Sequence, residues 1–132
     1  MKMIITCLLA VAAIAASAQE KATVVFIRST GHYGSAAKFK MFINKKIVCL
    51  INNKRFSTHE VDSGDIQVDA QFSGKEYKGN DEPLIIKAEP GKTYYFQLVL
   101  KTRFTKNELF VQEITESSAK ISMKDLKTED CF

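Results

Sequence analysis

Alternation between apolar and polar side chains is the feature that most restricts how this chain folds. It is clearest in the segment DIQVDAQF at 65–72. The side chains predicted to face a core are Ile66, Val68, Ala70 and Phe72. Those predicted to face solvent are Asp65, Gln67, Asp69 and Gln71. A period of two suits a β-strand, whereas a helix needs a period of roughly 3.6, so the chain is predicted to consist of strands that bury one face.

Similar segments recur along the rest of the chain, each rich in β-branched or aromatic residues. They lie at 22–29, 38–43, 47–51, 55–61, 83–89, 93–101 and 108–115. Short turns separate them, and Gly64 and Pro90-Gly91 suit the backbone angles of such turns. We predict an all-β fold, an antiparallel β-sandwich of about 7–8 short strands that is immunoglobulin-like in architecture. A β-barrel is the alternative.

The C-terminal segment ESSAKISMKDLKTED fits two patterns. The positions at helical spacing are Ala119, Met123 and Leu126, and those at strand spacing are Ala119, Ile121 and Met123. Thr115 or Ser117 is suited to cap the start of a helix, and the lysines fall late, where the helix dipole favours them. We therefore predict a short C-terminal helix.

Residues 1–18 have the pattern of a secretory signal peptide. Lys2 precedes an apolar run from Ile4 to Ala16, and the small residues that end it form a cleavage site near Ala18. The alternatives are a buried N-terminal helix or a membrane anchor, but the run is shorter than the roughly 20 residues of a membrane span. We predict an exported protein, either periplasmic or secreted.

The remainder, 19–132, is long enough for a single β-sandwich domain with its own core. It contains no second apolar run of membrane length, so no transmembrane segment is predicted in the mature chain. Cys7 lies inside the apolar run rather than after a lipid-attachment box, so it is interpreted as part of the leader.

Two cysteines, Cys49 and Cys131, remain after cleavage. In an oxidising compartment such a pair is expected to form a disulfide, which would join the C-terminal tail to the strand that holds Cys49. The alternative is two separate thiols, with Cys49 buried as a small apolar residue in KIVCLI. Both alternatives stay open, because the sequence does not set the distance between the two Cα atoms.

Three pieces occur in an order that resembles a known family. They are ATVVFIRS with its closing arginine at 22–29, the double hairpin of 39–71, and IKAEPGKTYYFQLVL at 86–100. Together they resemble the bacterial domain of unknown function family 2846, whose members are small exported proteins or lipoproteins. The chain departs from that pattern in lacking a lipobox and in having Asn44-Lys45-Lys46 where the hairpin often has glycine. The resemblance implies an exported, predominantly β domain and lends it no catalytic residues.

The segment GHYGSAA at 31–37 holds His32, Tyr33 and Ser35 within a few positions of one another. A catalytic Ser–His pair also needs an orienting group and an oxyanion hole, and no GxSxG pattern surrounds the serine. We interpret the segment as a turn, with His32 and Tyr33 as candidates for a contact surface. No catalytic residue is predicted.

Metal sites in sequence are usually recognised by ligands at short spacing. His32, His59, Cys49 and Cys131 are scattered along the chain, and no HxxxH or CxxC occurs. We therefore predict no metal site and no cofactor. His59 is interpreted as a surface histidine on a half-exposed strand.

The formal net charge of +4 is mildly basic. Lys45, Lys46, Lys54 and Arg55 cluster at two neighbouring turns. One interpretation is solubility and protection of strand edges, and the other is contact with an anionic envelope component or an acidic partner. Tyr95 is predicted to face outward and joins this candidate contact surface. Export argues against nucleic acid as a partner.

These observations predict a non-enzymatic binding or accessory module of the bacterial cell envelope. Its partner would be an envelope protein or an anionic envelope component. A small hydrolase or inhibitor-like protein that uses the loops at one end is the alternative. A structural protein that pairs through a free edge strand is a third.

Overall fold

A computed structural model describes residues 20–31, 36–74, 83–104 and 106–132. The predicted leader and the candidates His32 and Tyr33 lie outside the described residues. The elements in chain order are β1 (Lys21–Arg28), β2 (Phe39–Ile43), β3 (Lys46–Ile51), β4 (Arg55–Asp62), β5 (Gly64–Phe72), β6 (Leu84–Ala88), β7 (Thr93–Arg103), β8 (Lys106–Ile114), α1 (Glu116–Met123) and β9 (Lys127–Thr128).

The strands form two sheets, which confirms the predicted all-β sandwich. Sheet A has the order β8-β7-β1-β4-β9, and sheet B has the order β3-β2-β5-β6. Two pairs depart from the predicted antiparallel arrangement, because β7 runs parallel to β1 and β9 runs parallel to β4. Alternation specifies which face of a strand is buried, but it says nothing about the direction of the neighbouring strand.

The core lies between the inner faces of the two sheets. Sheet A contributes Val24, Phe26, Val61, Phe96 and Leu98, and sheet B contributes Phe39, Met41, Ile66, Val68 and Ala70. All ten are less than one-tenth exposed. The alternation in β5 therefore buries the predicted apolar set, with Phe72 packed at the margin.

The outer face of sheet A is covered by the C-terminal helix. Val25 and Ile27 of β1 pack there with Ala119 of α1, and Tyr95 of β7 is half-buried beside them. The hydroxyl of Thr115 accepts a hydrogen bond from the N–H of Ser118, so one of the two predicted caps begins the predicted helix. The structure thus has three layers on this side, helix on sheet on sheet.

Two corners set how the chain passes between the sheets. Only Ser63 separates β4 in sheet A from β5 in sheet B, and Gly64 adopts a φ of +119°, which suits glycine. The hydroxyl of Tyr94 accepts from the N–H of Glu89 at 2.8 Å and lies 3.3 Å from the carbonyl of Lys87. This is the geometry of the tyrosine corner that fastens strand connections in immunoglobulin-like sandwiches.

The prediction that Asp69 and Gln71 face solvent is wrong. Asp69 is only 2% exposed, with its Oδ1 accepting a hydrogen bond from the N–H of Ala70, and Gln71 is half-buried. Phe42, the partner of Asp69 on β2, is 5% exposed on the same face. The alternation assigned these residues to the outer face of sheet B, but it does not show whether an outer face is itself covered.

Candidate functional site: a cleft between two sheet edges

An open cleft of about 790 Å³ lies along the gap between β3 and β4. Its apolar lining consists of Ile43, Val48 and Val61, and its polar lining consists of Lys21, Asn44, Lys46, Thr58, His59, Glu60 and Asp62. Lys21 and Asp62 form an exposed ion pair at the rim. The cleft therefore combines an apolar floor with charges of both signs at its edge.

Strand β9 covers only the first part of the β4 edge, where it pairs with Arg55 and Phe56. The carbonyl of Phe56 accepts from the N–H of Glu129 at 2.8 Å, so the backbone groups of Phe56 point away from β1. Residues two apart in a strand point their backbone groups the same way, so those of Thr58 and Glu60 also point outward. No strand of the described chain pairs with this part of the edge.

The opposite wall, β3, is one of the two edge strands of sheet B. Its pairing with β2 shifts register, because Met41 is opposite Cys49 while the next residue, Phe42, is opposite Ile47. Val48 is therefore an additional residue, a β-bulge, and its side chain lines the cleft. A bulge interrupts the ladder, so β4 offers the more regular edge of the two.

The C-terminal tail closes the other end of this gap. On the β4 side, the N–H of Lys127 donates to the carbonyl of Lys54 at 3.3 Å. On the β3 side, the N–H of Leu50 donates to the carbonyl of Cys131 at 3.2 Å. The Asn52 backbone N–H and side-chain amide both donate to the carboxylate of Glu129, at 3.1 and 3.0 Å. The tail thus joins the edges of both sheets.

The predicted disulfide is present and holds this tail covalently. Cys49 of β3 and Cys131 of the tail are bonded, with 4.4 Å between their Cα atoms and a separation of 82 positions in sequence. Cys49 is fully buried, whereas Cys131 is half-buried. The alternative of two separate thiols is therefore wrong, although Cys49 is buried in the core as that alternative also expected.

His59 lies where the disulfide meets the cleft, and its interpretation as a surface histidine is wrong. The ring is half-buried, packs 5.6 Å from the ring of Phe26, and places Nε2 2.8 Å from Ser57 Oγ. Burial lowers the pKa of His59, because desolvation disfavours the imidazolium form. A ring nitrogen of His59 and the two cysteine Sγ atoms all lie within 4.8 Å of one another.

The metal prediction relied on scattered positions, and the fold gathers three of those four residues. Cys49 comes from β3, His59 from β4 and Cys131 from the tail. Spacing motifs detect ligands on one local segment, whereas strand pairing and the tail bring together residues that are distant in sequence. No signal in the sequence singled out this triplet.

Arg28 is a buried cation beside the closed end of the gap. Its Nη1 donates to the carbonyls of Ala37 at 2.6 Å and Ile51 at 2.8 Å, and its Cζ lies 3.5 Å from the ring centroid of Phe39. Burial lowers the pKa of Arg28 to about 10, partly opposed by the nearby charge of Glu129. Arg28 therefore stays charged at neutral pH and ties β1 to sheet B.

The predicted contact surface is not one surface. Lys45 and Lys46 lie at the β2–β3 turn, beside the cleft, where Asn44 and Lys45 adopt positive φ as a two-residue hairpin requires. Lys54 and Arg55 lie at the opposite end of β3, roughly 15–20 Å away by strand length. Neighbouring turns in sequence are at opposite ends of a strand, which is why the two pairs separate.

Tyr95 does face outward from sheet A, as predicted, but it is not an open platform. It is half-buried against Val25 and Ile27 in the layer under α1. Its ring is therefore part of the packing between helix and sheet. The prediction that Tyr95 belongs to a contact surface is not supported by this position.

No family model matches the chain, and no curated protein or solved structure matches it. The resemblance to the domain of unknown function family 2846 therefore stays a prediction. Among the described residues, no helix is both long and apolar enough to cross a membrane.

Proposed function

We propose that this chain is an exported, non-enzymatic binding module of the bacterial cell envelope. Its partner supplies an extended segment that occupies the cleft and adds a strand to the edge of β4. The observation that carries the proposal is the outward-pointing backbone of Thr58 and Glu60 beside an open cleft. Export is supported by the leader pattern and by the disulfide, which persists in oxidising compartments.

Strand addition suits this edge for a geometric reason. An extended partner makes main-chain hydrogen bonds with an open strand edge, and alternate side chains enter neighbouring pockets. The β4 edge beyond Phe56 continues to Asp62, and the apolar floor at Val48 and Val61 lies beside it. The tail occupies the start of the same edge as β9, so the chain itself shows that β4 accepts a strand there.

A proline substitution tests the edge directly. Thr58→Pro removes an N–H that points to the cleft and not to β1, so the β1–β4 ladder keeps its hydrogen bonds. Thr58→Val keeps the N–H and serves as the matched control. Each protein, as residues 19–132, is immobilised and exposed to a native envelope extract, and the recovered proteins are identified by mass spectrometry.

We expect the unmodified protein and Thr58→Val to recover the same partner and Thr58→Pro to lose it. Equal recovery by all three proteins would rule out strand addition at β4. Two further variants, Lys46→Ser at the cleft and Lys54→Ser at the far end of β3, test whether the partner is attracted by charge as well as by strand addition. Loss of the partner with Lys46→Ser alone indicates an anionic partner in the cleft, whereas loss with Lys54→Ser alone places the contact elsewhere and contradicts the proposal.

A further inference from the structure

The three potential ligands beside the cleft form a cluster that the proposed function does not use. Two Sγ atoms and an imidazole nitrogen lie within 4.8 Å of one another, on Cys49, Cys131 and His59. Cys₂His is a donor set that binds Zn²⁺ with a water in the fourth position. In the oxidised protein the two sulfurs are bonded to each other, so this donor set exists only after reduction.

The tail stays beside β3 and β4 without the sulfur–sulfur bond. Its hydrogen bonds include Glu129 N–H to the Phe56 carbonyl at 2.8 Å and Leu50 N–H to the Cys131 carbonyl at 3.2 Å. The Glu129 carboxylate adds the contacts to Asn52. These bonds are made by Glu129 and by the Cys131 carbonyl itself, so they keep the Cys131 backbone beside β3 when the disulfide is opened.

The third donor, His59, is held in place by contacts with two neighbouring side chains. Ser57, only 1% exposed, has its hydroxyl 2.8 Å from Nε2 of His59, and the Phe26 ring packs against the imidazole. With Nε2 bonded to the hydroxyl, Nδ1 is the ring nitrogen left for a cation. Such outer contacts orient metal-binding histidines in proteins.

The cluster also has a route to solvent. His59 lines the open cleft, and Cys131 is only half-buried, so neither of these two residues is sealed from solvent. The imidazole is therefore the member of the cluster that borders the open side of the gap.

We propose that reduction by a dithiol converts the Cys49–Cys131 disulfide and His59 into a Zn²⁺ site. In the first step a dithiol opens the disulfide, giving two cysteine thiols and the oxidised, cyclic form of the reductant. In the second step Zn²⁺ binds both sulfurs and the neutral imidazole, and two thiol protons are released. Water from the cleft fills the fourth position.

The test uses residues 19–132, reduced and freed of reductant under anaerobic conditions, with the oxidised protein as control. Zn²⁺ is titrated by calorimetry, proton release is counted in weak buffer, and Co²⁺ serves as an absorbing substitute that reports thiolate ligation. We expect the reduced protein to bind one ion with two protons released, and the oxidised protein to bind none at this site.

Two variants distinguish this site from a simple pair of thiols. Loss of an outer-shell partner typically costs about 10- to 100-fold in metal affinity, so Ser57→Ala is expected to weaken Zn²⁺ within that range. His59→Gln removes a ligand and is expected to weaken it further, with altered Co²⁺ absorption. Unchanged affinity in His59→Gln, or no binding by the folded reduced protein, would overturn the proposal.

If the reduced chain is unfolded, the proposal is tested by whether Zn²⁺ restores its fold. In that case Zn²⁺ is added while β-structure is followed by circular dichroism. Recovery of the native spectrum in the chain with His59, and not in His59→Gln, supports the site. Failure of Zn²⁺ to restore structure, or equal recovery in both chains, contradicts it. The Thr58→Pro experiment uses oxidised protein, so its outcome is independent of this one.

Discussion

The gap between β3 and β4 has two ends that are built differently. At the closed end, the tail joins both sheets through a disulfide, a carboxylate held by Asn52, and backbone hydrogen bonds. At the open end, the rim carries exposed side chains such as the Lys21–Asp62 pair, which joins β1 to β4 within sheet A. Both ends border the same two strands, so the tail decides where the edge of β4 remains free.

This contrast indicates that stability and binding are separated along one gap. Buried and charge-assisted contacts at the closed end contribute to folding, whereas exposed ion pairs contribute little. Substitutions at the closed end should therefore change stability, and substitutions at the open end should change recognition. The four predictions below test this division, from the largest expected effect on stability to the smallest.

Removal of the disulfide should have the largest effect. The bond closes a loop over 82 positions, and for a loop of that length the chain-entropy argument gives a loss of about 4.5 kcal/mol in the free energy of unfolding. Urea denaturation of Cys49→Ala with Cys131→Ala measures it. Dithiothreitol with a chelator should move the unmodified protein toward the double variant and leave the double variant unchanged. A loss below about 1 kcal/mol would show that hydrogen bonds alone hold the tail.

Arg28→Met should come next, at about 3 kcal/mol. The substitution removes the donor to the buried carbonyl of Ile51 and to the partly buried one of Ala37, and loss of a buried partner costs about 1–3 kcal/mol. Arg55→Met is the matched control, because its guanidinium contact to Thr128 lies at the surface. The same urea measurement applies, and similar midpoints for the two variants would contradict the buried role of Arg28.

Glu129→Gln should cost about 1 kcal/mol, because it replaces one acceptor of the Asn52 amide by an NH₂ group. Glu113→Gln, on the exposed face of β8, is the control. Hydrogen exchange should show faster exchange of the Leu50 amide, which bonds to the tail, in Glu129→Gln alone. Unchanged exchange there would mean that the carboxylate does not help to hold the tail.

Asp62→Asn should have the smallest effect on stability, with no resolvable shift of the urea midpoint. Its partner Lys21 is exposed, and surface ion pairs contribute little. If binding uses the open end, the same substitution should alter recovery of the partner from envelope extract. A midpoint shift as large as that of Glu129→Gln would break the division between the two ends.

Much of the fold could be predicted because its signals are local. The strand β5, the turn at Asn44-Lys45 and the cap at Thr115 depend on side-chain period, turn residues and a capping hydroxyl within a few positions. The parallel pairing of β1 with β7 and the burial of Asp69 could not be predicted in this way. The first depends on which distant strand lies beside β1, and the second depends on what packs over the face of sheet B that carries Asp69.

The same distinction applies to the candidate site. The cysteine pair was a reasonable expectation from compartment and count, but the position of His59 beside it required the pairing of β4 with β1 and the path of the tail. Lys46 and Lys54 were grouped because they are close in sequence, although β3 holds them apart.

The sequence by itself determined that the chain forms short strands with one buried face and ends in a capped helix, because side-chain period and capping act within a few residues. Only the tertiary structure decided which edge stays open, which sulfurs meet, and which polar residues are buried. Those outcomes depend on contacts between segments far apart in the chain, whose closeness is set by packing of the whole sandwich and not by any local pattern.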